Sequence, residues 1–147
     1  MLNRCLTCRL ILGVLVVWIG ALPAHCRTRQ VVLLYDERTT LPGLAALDAS
    51  IFRTLTSSSA EPVEVYRESM DLSRFGSDTY LLVLQDYLRN KYADRKIDVV
   101  VAVMSPALDF LLSHENLVFP GTPIVFCGID RRELGSRALP SRMPSSA

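Results

Sequence analysis

The sequence predicts an open parallel α/β sheet, and three observations lead there. Short apolar runs rich in branched residues recur along the chain, at Val31 to Tyr35, Pro62 to Tyr66, Ile97 to Met104 and Ile124 to Cys127. Between them lie segments whose leucines repeat at helical spacing, and turn-forming residues separate the two kinds. The order is βαβαβαβ. Strands alternating with helices of this length imply right-handed crossovers, hence a parallel sheet with helices on both faces.

Val31-Val32-Leu33-Leu34-Tyr35 is continuously apolar, as a strand buried on both faces must be, and it stops at the charged Asp36-Glu37-Arg38. Thr39, Thr40 and Pro42 supply hydroxyl caps and a first-turn proline for a helix. Leu44, Leu47, Ile51 and Leu55 then draw one apolar stripe, and Ser57-Ser58-Ser59 ends it. The second strand alternates Val63 and Val65 with Glu64. Gly76-Ser77-Asp78 is a loop and cap before the stripe Leu81, Leu84, Leu88 and Tyr92, where Arg89 and Lys91 suit the negative helix end. Ile97 to Met104 is the strongest strand, Ser105-Pro106 reads as N-cap and first helical residue, and Leu108, Leu111 and Leu112 face the core. Phe119-Pro120-Gly121-Thr122-Pro123 is a turn, and the fourth strand closes at Gly128.

The flanks differ from this region. Arg4 and Arg9 precede an uncharged run from Leu10 to Ala24, the layout of a secretory signal. A spanning helix needs roughly 20 apolar residues. Residues 1–26 are therefore expected to be a signal peptide or an N-terminal membrane anchor, which places the remainder in the periplasm, free or held at the inner membrane. Arg131 to Ala147 carries four Arg, four Ser and two prolines in 17 residues without apolar periodicity, and is expected to be a disordered tail. Residues 27–130 form the lobe between them.

Charge and cysteine content exclude several classes. The chain of 147 residues has a formal net charge of +1, which gives no electrostatic reason for a nucleic-acid partner. Cys5 and Cys8 form a C-x-x-C, but within the targeting segment. His25 and His114 have no Cys or His neighbours at ligand spacing, so neither a metal site nor a cofactor is expected.

The segment KIDVVVAVMSPALDFLL followed by FPGTPIVFCGID resembles the N-terminal lobe of substrate-binding proteins of the ABC-transporter type. More closely, with VVLLYDERTTLPG and EPVEVYRE, it resembles the exported binding-protein-like region of some bacterial membrane sensor histidine kinases. The resemblance covers about 100 residues, nearly the whole of the exported part. It implies a flavodoxin-like lobe of the type I periplasmic-binding-protein fold, one of two lobes that close on a small ligand. Past Gly128-Ile129-Asp130 nothing comparable to a second lobe follows, so the expected lobe is incomplete. An ABC permease or a kinase output module encoded elsewhere is the implied partner, beside an unidentified small molecule.

In such sheets ligands bind beyond the carboxyl ends of the strands, where the strand order reverses. With the order 2-1-3-4 that crevice lies between the first and third strands. The candidate ligand-binding residues are Tyr35, Asp36, Glu37 and Arg38 after the first strand, Ser105, Pro106 and Ala107 after the third, and Gly128 and Asp130 after the fourth. Backbone N–H groups at the Ser105 helix start would favour carboxylate or phosphate. Each has a plainer alternative: Ser105-Pro106 as simple capping, Asp36-Glu37 as a solvated loop, Tyr80, Tyr87 and Tyr92 as packing, and Asp98 as a surface or capping acid. The leading expectation is an exported small-solute-binding or sensor lobe without enzymatic activity. The alternative is a non-functional gene fragment or a frameshifted remnant of a sensor histidine kinase. A response-regulator receiver fails because no phosphorylatable aspartate ends the third strand, and a serine hydrolase fails because no serine sits in a glycine-bounded elbow.

Overall fold

A computed structural model describes residues 27–134. The expected signal or anchor segment lies outside the described residues, as does the tail beyond Leu134. Four strands, β1 (Arg29–Tyr35), β2 (Val63–Ser69), β3 (Val99–Val103) and β4 (Ile124–Cys127), alternate with three long helices, α1 (Pro42–Ser58), α2 (Asp78–Lys91) and α3 (Ser105–Val118). The sheet is entirely parallel, in the order β2-β1-β3-β4. This is the open α/β arrangement anticipated from the alternation of patterns, with the flavodoxin-like order 2-1-3-4 among the described residues.

The register explains why the central strands are apolar throughout. Val32 lies between Tyr66 and Val100, and Leu33 between Arg67 and Val101. Even-numbered residues of β1 face one core with Val100, Ala102 and Ile124, closed by Leu84 and Leu88 of α2 and Leu108 and Leu111 of α3. Odd-numbered residues face the other, where Val31, Leu33, Tyr35, Val101 and Val103 meet Leu44, Leu47, Ile51 and Leu55 of α1. Removing a leucine-sized side chain from water contributes about 1.5–3 kcal/mol, so Leu88, Leu108 and Leu111 dominate the first core. The second core is thinner, because α1 alone covers it and no α1 residue is fully buried.

Local chemistry sets the helix ends, and here the structure amends the sequence reading. Ser77 caps α2 as expected, its hydroxyl accepting the Tyr80 N–H. The N-cap of α1 is Leu41, without a side-chain hydrogen bond, so Thr39 and Thr40 do not cap it. The N-cap of α3 is Met104 rather than Ser105, which is already helical. β2 runs on to Ser69, beyond its expected end at Tyr66, because its pairing with β1 continues through Leu34 opposite Glu68 and Tyr35 opposite Ser69, while the Glu68 carboxylate accepts from Tyr92 and Lys91 at 2.5 Å each. α3 kinks at His114, whose Nδ1 lies 2.8 Å from the Phe110 carbonyl oxygen. A last short helix, α4 (Arg131–Leu134), occupies the first four residues assigned by sequence to the disordered tail. Asp130 starts it, with its carboxylate accepting the Arg132 N–H and its carbonyl accepting from Glu133 and Leu134.

Candidate functional site

β1 connects outward to β2 on one side and pairs with β3 on the other, so the chain direction reverses between β1 and β3. At their carboxyl ends is a hollow of about 450 Å³ lined by Asp36, Glu37, Leu41, Leu44, Leu47 and Met104, with Gly43 at its rim. This is the position the topology designates for a ligand. Its floor is the upper end of the α1 stripe, and its polar wall is the β1–α1 loop.

The two acids are held in place. Asp36 is buried, and its Oδ1 accepts the backbone N–H of Ser73 at 2.9 Å. The Ser73 hydroxyl donates to Glu37 Oε1 at 3.0 Å. One serine after β2 thus fixes both carboxylates of the β1 loop, and Asp36 and Glu37 are structured groups rather than a solvated loop. Arg38 turns away into a neighbouring hollow of about 300 Å³ shared with Glu37, Asp71 and Arg74.

The other sequence candidates divide. Tyr35 is fully buried beneath α1 and donates its hydroxyl to Asp48 at 2.8 Å, which removes it from the hollow. Burial first, then the bond to Asp48, pushes that phenol far above the usual tyrosine value. Asp48 also receives Arg67 at 2.7 Å. Burial opposes its ionisation, but the bonds from Arg67 and Tyr35 outweigh that and leave its carboxyl below the ordinary value. Ala107 is buried in the core under α3. Pro106 is half-buried and has no N–H, so the start of α3 offers a poorer anion cradle than its position implied. The Ser105 hydroxyl donates to Glu133. Asp130 is occupied in starting α4. Among the aromatic residues, Tyr92 is core, Tyr80 donates to the Met70 carbonyl at 2.7 Å, and Tyr87 is exposed. Asp98 is a capping acid, accepting the Gln30 N–H at 2.9 Å and pairing with Arg27.

Met104 is the site residue that sequence reasoning passed over. In sequence it ends the apolar run from Ile97, yet its φ of 74° and ψ of 162° turn its side chain out of the sheet and into the hollow. That backbone region belongs essentially to glycine and costs on the order of 1–3 kcal/mol for any other residue. The geometry is fixed from both ends, since Met104 N–H donates to the Cys127 carbonyl at 2.9 Å and its carbonyl accepts from Leu108 at 3.3 Å. Gly128, with φ 71°, lies against the Met104 sulfur. No local sequence signal marks a strained methionine.

Among the described residues no group of histidine, cysteine, aspartate and glutamate is placed to hold a metal ion. No helix among them is long and apolar enough to cross a membrane. The fold is an open parallel α/β lobe with a hollow at the switch point of its sheet. No family model, curated protein or solved structure matches the chain.

Proposed function

We propose that this chain contributes one wall of a small-solute cleft in an exported binding or sensor protein. The observation that carries this reading is the hollow at the β1–β3 switch point, where two positioned carboxylates stand over a floor of three leucines and a strained methionine. Strain of that kind persists only where the surroundings over-determine it, and it concentrates at ligand clamps. The wall is acidic, so the solute it fits is a small amphipathic molecule presenting an ammonium group or hydroxyl donors to Asp36 and Glu37. That differs from the carboxylate or phosphate expected from the helix start alone. An apolar portion would rest on Leu44, Leu47 and Met104.

One wall buries at most half of a ligand, so affinity is expected to be weak. Titration of the full chain with a panel of small amines, polyols and carboxylates, followed by backbone NMR, tests this. Saturable shifts at Asp36, Glu37 and Met104 with amines or polyols, lost in Leu44→Lys, support the reading. Shifts confined to carboxylates, or indifferent to Leu44→Lys, overturn the acidic assignment. Submicromolar stoichiometric binding would contradict the half-cleft itself.

A further inference from the structure

A second hollow, of about 580 Å³, opens at the opposite edge of the sheet, between the loop leading into β3 and the loop leading into β4. Its size is typical of small-molecule sites. The exposed Leu117 and Pro120 provide an apolar surface, over a base formed by the buried Tyr92, Ile97 and Phe119, with the Tyr92 and Phe119 rings 5.6 Å apart. Arg89, Arg95 and Lys96 provide the charge.

The cations are not explained by helix ends alone. Arg89 and Lys91 lie in the last turn of α2, where they offset the negative end of its dipole. Arg89 is paired with Asp86 at 2.9 Å, and Lys91 with Glu68 at 2.5 Å. Arg95 and Lys96 stand beyond the helix, in the loop, and neither has a carboxylate partner among the described residues. The one acid lining the hollow, Asp98, is already taken by Arg27, Arg29 and the Gln30 N–H. Two loop cations therefore remain beside this apolar surface.

A further polar group stands behind that surface. The Tyr66 hydroxyl is closed off from water with no hydrogen-bond partner among the described residues, although Glu64 stands near it. Its ring meets Tyr92 edge-on at 5.6 Å, and the charge of Arg95 reaches it.

We propose that the amino-edge hollow binds a small amphipathic carboxylate. Its aromatic or branched aliphatic body would pack on Leu117 and Pro120, above the buried Tyr92, Ile97 and Phe119, and its carboxylate would accept from Arg95 and Lys96. Charge-assisted bonds to a guanidinium are stronger than neutral ones, and burying the body beside them excludes competing water. This site is independent of the acidic hollow at the carboxyl edge, and it selects the opposite charge.

Phenylacetate is a suitable probe and phenylacetamide its uncharged counterpart. With the full chain, phenylacetate is expected to give saturable NMR shifts at Ala93, Arg95, Gly121 and Thr122. Phenylacetamide and the Arg95→Gln/Lys96→Gln variant should each weaken binding roughly ten-fold, the loss of about one charge-assisted bond. Both side chains are exposed, so the double variant keeps the fold, which an unchanged melting temperature verifies. Asp36→Asn should leave phenylacetate affinity as it was. Equal binding of acid and amide, unaltered affinity in the double variant, or shifts located at the carboxyl edge would each overturn the assignment.

Discussion

The sulfur of Met104 packs over Gly128 so closely that a methyl group built on the glycine would stand 3.1 Å from it. Both residues have positive φ, 74° and 71°, and together they shape the end of the β3–β4 pair where the carboxyl-edge hollow opens. The glycine adopts this conformation freely and the methionine does not. Met104 thus carries strain at the switch point of the sheet.

Replacing Met104 by glycine releases that strain. The expected result is a gain of about 1 kcal/mol in unfolding free energy, the strain relief exceeding the added flexibility of glycine in the unfolded chain. Urea denaturation measures it, and the same variant should lose the solute-induced shifts. A loss of stability would show instead that the side chain's packing on Gly128 outweighs the strain.

Gly128→Ala should act in the opposite sense. The new methyl meets the Met104 sulfur and is forced into a left-handed backbone, at a cost of about 1–3 kcal/mol. Combining it with Met104→Gly removes the clash but leaves the φ penalty, so the double variant should recover only part of the loss. Full recovery in a double-mutant cycle would mean that the clash was the whole effect.

Ser73 joins the β1 and β2 loops through Asp36 and Glu37. Asp36→Ala leaves the Ser73 N–H without its acceptor, at a cost of about 1 kcal/mol. Hydrogen exchange at Ser73 should quicken while exchange in β3 stays as it was. Unchanged protection at Ser73 would show that the bond does not hold the loop.

Stability should fall as pH rises past the ordinary tyrosine value of 10.0. The phenols of Tyr35 and Tyr92 are both raised, by burial first and then by bonds to Asp48 and Glu68. Above that pH the unfolded chain gives up these protons while the folded chain keeps them, so alkali favours unfolding. Lys91, raised by its bonds to Glu68 and Tyr87, adds in the same direction. Tyr92→Phe should flatten the alkaline slope in melts across this range; an identical slope would remove Tyr92 from the account.

The outer face of α2 exposes Leu82 and Val83 at 59% and 61%, beside Tyr87, and Val125 is exposed on the edge strand β4. Unpaired edges and apolar faces favour association. The chain is expected to self-associate in sedimentation experiments, and Leu82→Lys/Val83→Lys should shift it toward the monomer. A wild-type chain that is monodisperse at high concentration would contradict this.

How much of this was legible depended on whether the signal was local. The valine-rich runs and the leucine stripes are repeating patterns that report burial directly, so four strands and three helices could be read in order. β4 was located to the residue, because Pro123 and Gly128 bound it. Ser77 was legible as a cap because its role involves only the next three residues. Thr39 and Thr40 misled because a cap needs the right backbone as well as a hydroxyl, and the chain enters α1 at Leu41.

The candidate site followed the same division. Asp36 and Glu37 could be placed at the switch point from sequence order alone, since topology puts the first loop there. Their fixation by Ser73, some 36 residues away, could not be read, because it depends on β2 lying beside β1. Tyr35 looked like the first residue of the loop, and the pleat instead turned it beneath α1 toward Asp48.

By itself the sequence determined an open parallel α/β lobe, since hydrophobic period and connection length suffice to fix strand, helix and crossover. Only the tertiary structure decided the sign and shape of its hollows. Those depend on which side chains from distant segments converge, and on a methionine held at positive φ by hydrogen bonds at both ends of its backbone.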